Sequence, residues 1–260
     1  MRLWHSRCHV RGDHVRHQAR LAAAERGSGD RRALLDRRPR RGHGRGRGGQ
    51  RLRARRRLAG GAARGALAAR LAAGDGAPLA DVLESAIEET GAAHAGACDL
   101  GNPDSPSATV AMVRAGERVE YLVLGDSAVV LSRADGAALA VSDDRLERLP
   151  GGRPYSLELV RRMRNAPGGF WVAGARPEAA RQSVTGETDA GEVSGVGVFT
   201  DGVARLRDWY GWSWEAVLGL LAGRGPEAVI AAVRELETAR GPVRGKRHDD
   251  ATAAWGRLVR

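Results

Sequence analysis

Leu79, Val82, Leu83, Ala86 and Ile87 follow the i, i+3, i+4, i+7, i+8 spacing of a single helical face, with Glu84, Glu88 and Glu89 elsewhere on the helix. That pattern predicts an amphipathic helix. Leu58, Ala62, Ala66, Leu67 and Leu71 predict another before it, ended at Gly74-Asp75-Gly76. The period then shortens. Ser107 to Arg114 and Val119 to Leu124 predict a β-hairpin, and Ala128 to Ser132 and Ala138 to Val141 two more strands, together an antiparallel meander. A charged stretch from Asp143 to Ala166 reads as a loop with a helix near Leu157 to Arg164. Phe170 to Ala173 reads as a short strand, Pro177 to Ala180 as a helical turn, and Thr185 to Val193 as a polar connection.

Val196, Val198 and Phe199 then form a short buried strand that delivers Thr200, Asp201 and Gly202 to its C-terminal end. Helical spacing resumes after Gly202, with helices at Trp214 to Ala222 and Pro226 to Ala239. Val229, Ile230, Val233 and Leu236 make the apolar stripe of the last helix, and Ala251 to Val259 a closing strand. Trp209, Tyr210, Trp212 and Trp214 read as a packing knot. Strands grouped in runs with helices between the groups predict an α+β fold, a sheet assembly with helices on its outer faces.

Charge divides the chain. Of 260 residues with a net charge of +11, residues 1–60 hold 19 arginines against four acids, +15, so the remaining 200 carry −4. Residues 1–57, in which Arg alternates with Gly over positions 41–49, show almost no apolar periodicity, so they are read as an irregular segment, disordered or out of frame, ahead of a folded domain at 58–260. Three readings of that segment compete: a basic arm for nucleic acid, a solvated tail, and an out-of-frame reading of GC-rich DNA. The last weighs most, because Lys246 is the only lysine beside 41 arginines. No run approaches the roughly 18 apolar residues that cross a bilayer. The N-terminus has no apolar signal core, and the expected location is cytoplasmic. Cys8 and Cys98 offer neither a disulfide framework nor zinc spacing.

Acidic residues recur at the ends of predicted strands: Asp126 in Gly125-Asp126-Ser127, Asp201 in Thr200-Asp201-Gly202, and Asp249-Asp250 before the last strand. Oxygen-only donors suit hard divalent cations such as Mg²⁺ or Mn²⁺. Two such ions close together acidify a bridging water and clamp a phosphoryl group. The plain alternative is three turn carboxylates.

In order, Gly125-Asp126-Ser127, Phe199-Thr200-Asp201-Gly202 and His248-Asp249-Asp250-Ala251-Thr252 resemble the signature series of the protein phosphatase 2C family, the metal-dependent Ser/Thr phosphatases. The resemblance covers roughly residues 58–260 and points to a divergent bacterial branch. It implies a β-sandwich flanked by helices with two Mn²⁺ or Mg²⁺ ions between the sheets. It makes Asp201 and Asp249 direct ligands, places Asp126 behind them or on a weaker third ion, and gives Gly202 and Asp250 supporting roles. The implied reaction is hydrolysis of phosphoserine and phosphothreonine by a metal-activated water, with a phosphoprotein as partner rather than membrane or nucleic acid. Oligomeric state leaves no mark in the sequence.

The family's first metal-binding Asp-Gly, borne on a strand near the N-terminus, has no match in residues 1–57. Without it the centre would hold metal weakly, and the sandwich would lack early strands. The rival readings are a catalytically silent phosphatase-like binding module, with or without a nucleic-acid-binding arm, and an unrelated α+β scaffold with turn aspartates.

Overall fold

The computed structural model describes residues 2–7, 67, 70–71, 76–96, 99–102, 104–241, 243 and 247–258. Its strands are β1 (Arg2–Arg7), β2 (Ser107–Ala115), β3 (Arg118–Leu124), β4 (Ala128–Arg133), β5 (Ala138–Ser142), β6 (Val184–Asp189), β7 (Val193–Phe199) and β8 (Ala253–Arg257). Its helices are α1 (Leu79–His94), α2 (Leu157–Met163), α3 (Asp201–Asp208), α4 (Trp214–Arg224) and α5 (Pro226–Arg240). Two antiparallel four-stranded sheets result, ordered β1-β2-β3-β6 and β5-β4-β7-β8.

Period-2 alternation explains how the layers stack, because successive strand residues face opposite sides. In β2, Ala111 and Val113 turn toward the second sheet, where they meet Val129, Leu131, Val196, Val198 and Ala254. Val110 and Met112 turn the other way, onto Leu79, Val82, Leu83, Ala86 and Ile87 of α1. These five are the buried residues of α1, the same stripe that the spacing predicts. On the far side Val130, Phe199 and Ala253 leave the second sheet to pack on Val203, Leu206, Val217, Leu218, Val229 and Val233 of α3, α4 and α5. Each fully buried Val or Leu contributes about 1.5–3 kcal/mol. The outcome is a helix–sheet–sheet–helix stack, the α+β sandwich that the resemblance implies.

Four readings need correction. The predicted meander does not exist as one sheet: β2 and β3 belong to the first, β4 and β5 to the second, and the chain changes sheets at Gly125-Asp126-Ser127. Residues 184–189 are not a connection but strand β6, the edge partner of β3. Phe170 to Ala173 makes only single bridges, Phe170 with Arg164 and Ala173 with Ala108. Arg2–Arg7 within the segment read as irregular forms β1, antiparallel to β2. The rest of that segment, most of the first predicted helix, and both cysteines lie outside the described residues.

Helix ends carry their expected chemistry. Ser213 Oγ accepts from the Ala216 N–H at the start of α4. Gly225, at φ 83°, closes α4 and hands directly to Pro226 in the first turn of α5. The aromatic knot is present: Trp214 stacks on Phe199 at 5.4 Å, and Tyr210 is buried with its ring edge-on to Trp209.

Candidate functional site

Register brings the predicted acidic positions to one end of the second sheet. Ala128 of β4 pairs with Phe199 of β7, and Phe199 pairs with Ala253 of β8. Asp126 therefore stands just before this level, Asp201 just beyond it, and Asp249-Asp250 just ahead of it on the third strand. Asp143, at the start of the stretch that its charge pattern predicts as a loop, joins them, because Ser142 pairs with Ala128. Its buried carboxylate is gripped by Arg145 Nε and Nη2 at 2.8 and 2.6 Å.

Thr200 ties two of these segments together. Its N–H donates to the Thr252 carbonyl at 3.1 Å, its hydroxyl donates to the Asp250 carbonyl at 3.3 Å, and the Thr252 N–H donates to its Oγ1 at 3.0 Å. Gly202 completes the junction, since the Asp250 main chain lies where a Cβ would go. Asp201 is the first residue of α3, and a carboxylate there is favoured by the helix dipole. On the neighbouring connection, Gly125 adopts φ 78° against Thr109, and the buried Ser127 hydroxyl hydrogen-bonds Thr109 Oγ1 at 2.9 Å.

Asp249 faces α3. Arg205 Nη2 reaches its Oδ2 at 3.1 Å, and the Asp250 N–H reaches Oδ1 at 3.0 Å. Behind Arg205 is Glu237, a fully buried carboxylate on α5 that the sequence reading missed. Burial pushes the Glu237 carboxyl up, but hydrogen bonds from His248, Arg234 and Arg205 outweigh it and hold it below the usual carboxylate range. A signal for it was in the sequence: Val229, Val233 and Glu237 recur every four residues, which sets a carboxylate on the apolar face of a helix.

The donors at this end are oxygen-only, the type that fits a hard cation. Among the described residues, no three His, Cys, Asp or Glu side chains are grouped so as to hold a metal ion. Magnesium takes one or two carboxylates and completes its shell with water and phosphate oxygens. A pair of carboxylates such as Asp201 and Asp249 has the donor chemistry of an open, water-rich site and not of a closed protein cage. No helix among the described residues is long and apolar enough to cross a membrane.

A protein-family profile described as Protein phosphatase 2C matches residues 54–235, a span that stops short of Asp249. Comparison with curated proteins gives no match. Among solved structures, the serine-threonine phosphatase 2C from Toxoplasma gondii is similar at 14% identity over 68% of this chain and 66% of that one, with a TM-score of 0.44. The Mycobacterium tuberculosis serine/threonine phosphatase PstP/Ppp is similar at 21% identity over 77% and 83%, with a TM-score of 0.45. The catalytic domain of the phosphatase PstP in complex with two manganese ions is similar at 18% identity over 76% and 79%, with a TM-score of 0.46. This chain spans just under two thirds of the Toxoplasma protein's length.

Proposed function

Because this chain belongs to the protein phosphatase 2C family, we propose that it hydrolyses phosphoserine and phosphothreonine in proteins at the acidic end of its second sheet. The observation that carries the reading is the shared level of Ala128, Phe199 and Ala253, which puts Asp126, Asp201, Asp249 and Asp250 at one sheet end. In the reaction a water oxygen forms a bond to phosphorus as the bond from phosphorus to the Ser or Thr oxygen breaks. The water's proton is lost, and the leaving oxygen gains one to become a hydroxyl. A divalent cation, Mn²⁺ or Mg²⁺, when bound supplies charge neutralisation for the phosphoryl oxygens and acidifies water.

The chain's own residues have distinct tasks. Asp201, at the first turn of α3, and Asp249 would hold the cation, with Asp126 and Asp250 beside them. Thr200 keeps the two acidic segments in contact through its hydroxyl, which bonds the Asp250 carbonyl and the Thr252 N–H, and Gly202 does so by letting the Asp250 main chain approach closely. Ser127 is buried and engaged with Thr109, which supports direct attack by water over a phosphoryl-serine route. The test is phosphate release from a phosphothreonine peptide by the full chain in Mn²⁺. Release that disappears with a chelator and returns with Mn²⁺ supports the proposal. No release at any Mn²⁺ concentration sinks it and favours the silent binding module.

A further inference from the structure

The charged cluster behind Asp249 takes no part in the reaction just described. Glu237 Oε1 accepts from Arg205 Nη1 at 2.5 Å, and its Oε2 accepts from Arg234 Nη1 at 2.6 Å and lies 2.7 Å from His248 Nδ1. Both arginines then continue to Asp249. Arg205 Nη2 bonds its carboxylate at 3.1 Å, and Arg234 Nη2 bonds its main-chain carbonyl at 2.5 Å. The Trp209 ring covers the face of the Arg205 guanidinium, with Cζ 4.1 Å from the ring centroid. Arg205 is 6% exposed, Asp249 9% and Glu237 0%.

Stability is a poor explanation for such a cluster, since desolvation consumes most of the Coulomb gain of buried ion pairs. Orientation is a better one. Glu237 holds two guanidinium forks in fixed poses, and each fork holds a different part of Asp249.

We propose that Glu237 is a positioning residue for Asp249, acting through Arg205 on the carboxylate and through Arg234 on the main chain. The proposal rests on reading Asp249 as a cation ligand. It predicts that the charge of Glu237, on α5, sets how tightly Asp249, ahead of β8, binds metal. Groups that hold a metal-ligating carboxylate in place typically contribute about 10–100-fold in affinity.

The test titrates Mn²⁺ calorimetrically into the full chain and four variants: Asp249→Ala, Glu237→Gln, the double variant of these two, and Val233→Ala. Val233 lies one turn from Glu237 on the same buried face and packs in the apolar cluster of α3, α4 and α5, so it reports what loosening α5 does by itself. Asp249→Ala and Glu237→Gln should each weaken Mn²⁺ binding about 10–100-fold. Their double variant should be little worse than either, because both remove the same contribution. Val233→Ala should bind as the parent does. Loss in Asp249→Ala with parental binding in Glu237→Gln overturns the positioning role and leaves Asp249 a ligand. Equal losses in Val233→Ala and Glu237→Gln also overturn it, since the role is then only structural. Parental binding in Asp249→Ala, or no binding by the parent chain, removes the ligand reading and the positioning role with it.

Discussion

Gly202 lies so close to Asp250 that a Cβ on it would sit 2.2 Å from the Asp250 carbonyl oxygen and 2.9 Å from the carbonyl carbon. Both obstructing atoms are main chain and cannot rotate aside. Alanine in a helix is favoured over glycine by about 1 kcal/mol, whereas forcing extra volume into a packed site costs about 1–3 kcal/mol. Gly202→Ala should therefore be net destabilising and should separate the two acidic segments. Denaturant unfolding would check the first effect and Mn²⁺-dependent phosphatase activity the second.

Gly125 is constrained twice. Its φ of 78° costs a residue with a Cβ about 1–2 kcal/mol, and that Cβ would lie 2.7 Å from Thr109 Cγ2. Gly125→Ala should lower the unfolding midpoint. Adding Thr109→Ser, which removes the methyl but keeps the hydroxyl facing Ser127, should recover only the steric share.

Breaking the buried cluster should be costly. Removing the Glu237 carboxylate leaves Arg205 buried beside one partner instead of two, and loss of one member of such a pair costs about 3–5 kcal/mol. Glu237→Ala should show this in equilibrium unfolding, and Glu237→Gln a smaller part of it, because the amide oxygen still accepts one bond.

Acid should erase the same contribution. The Glu237 carboxyl titrates below its ordinary range because the bonds from His248, Arg234 and Arg205 outweigh its burial. A depressed carboxyl contributes stability that is complete above its unfolded value, about 4.3 for glutamate, and is lost as pH falls through the folded one. The stability gap between the parent chain and Glu237→Gln should hold steady from neutral pH down to that point and narrow below it. Thermal unfolding across the acid range would measure it.

Much of this architecture can be read from residue spacing, and the failures are physically specific. The α1 stripe was legible because the five buried residues of the helix face one sheet. Strand β6 was not, because an edge strand buries little: Thr185, Glu187 and Asp189 are exposed, so no apolar alternation announces it. The change of sheets at Gly125-Asp126-Ser127 was hidden because Thr109, which packs against that turn, is 16 residues distant from Gly125. At the site, Asp126, Asp201 and Asp249 were visible as carboxylates beside strand ends. Arg205 and Glu237 were not, since their pairing joins residues 32 apart and appears only when α3 and α5 pack.

The most direct measurement is Mn²⁺-dependent hydrolysis of p-nitrophenyl phosphate by the parent chain and by Asp201→Asn, with equal folding of the two verified by circular dichroism. Cation-dependent chemistry at the acidic sheet end predicts a rate loss of at least about 100-fold in Asp201→Asn, equivalent to ~2.7 kcal/mol of transition-state stabilisation. Undiminished hydrolysis by Asp201→Asn would contradict it.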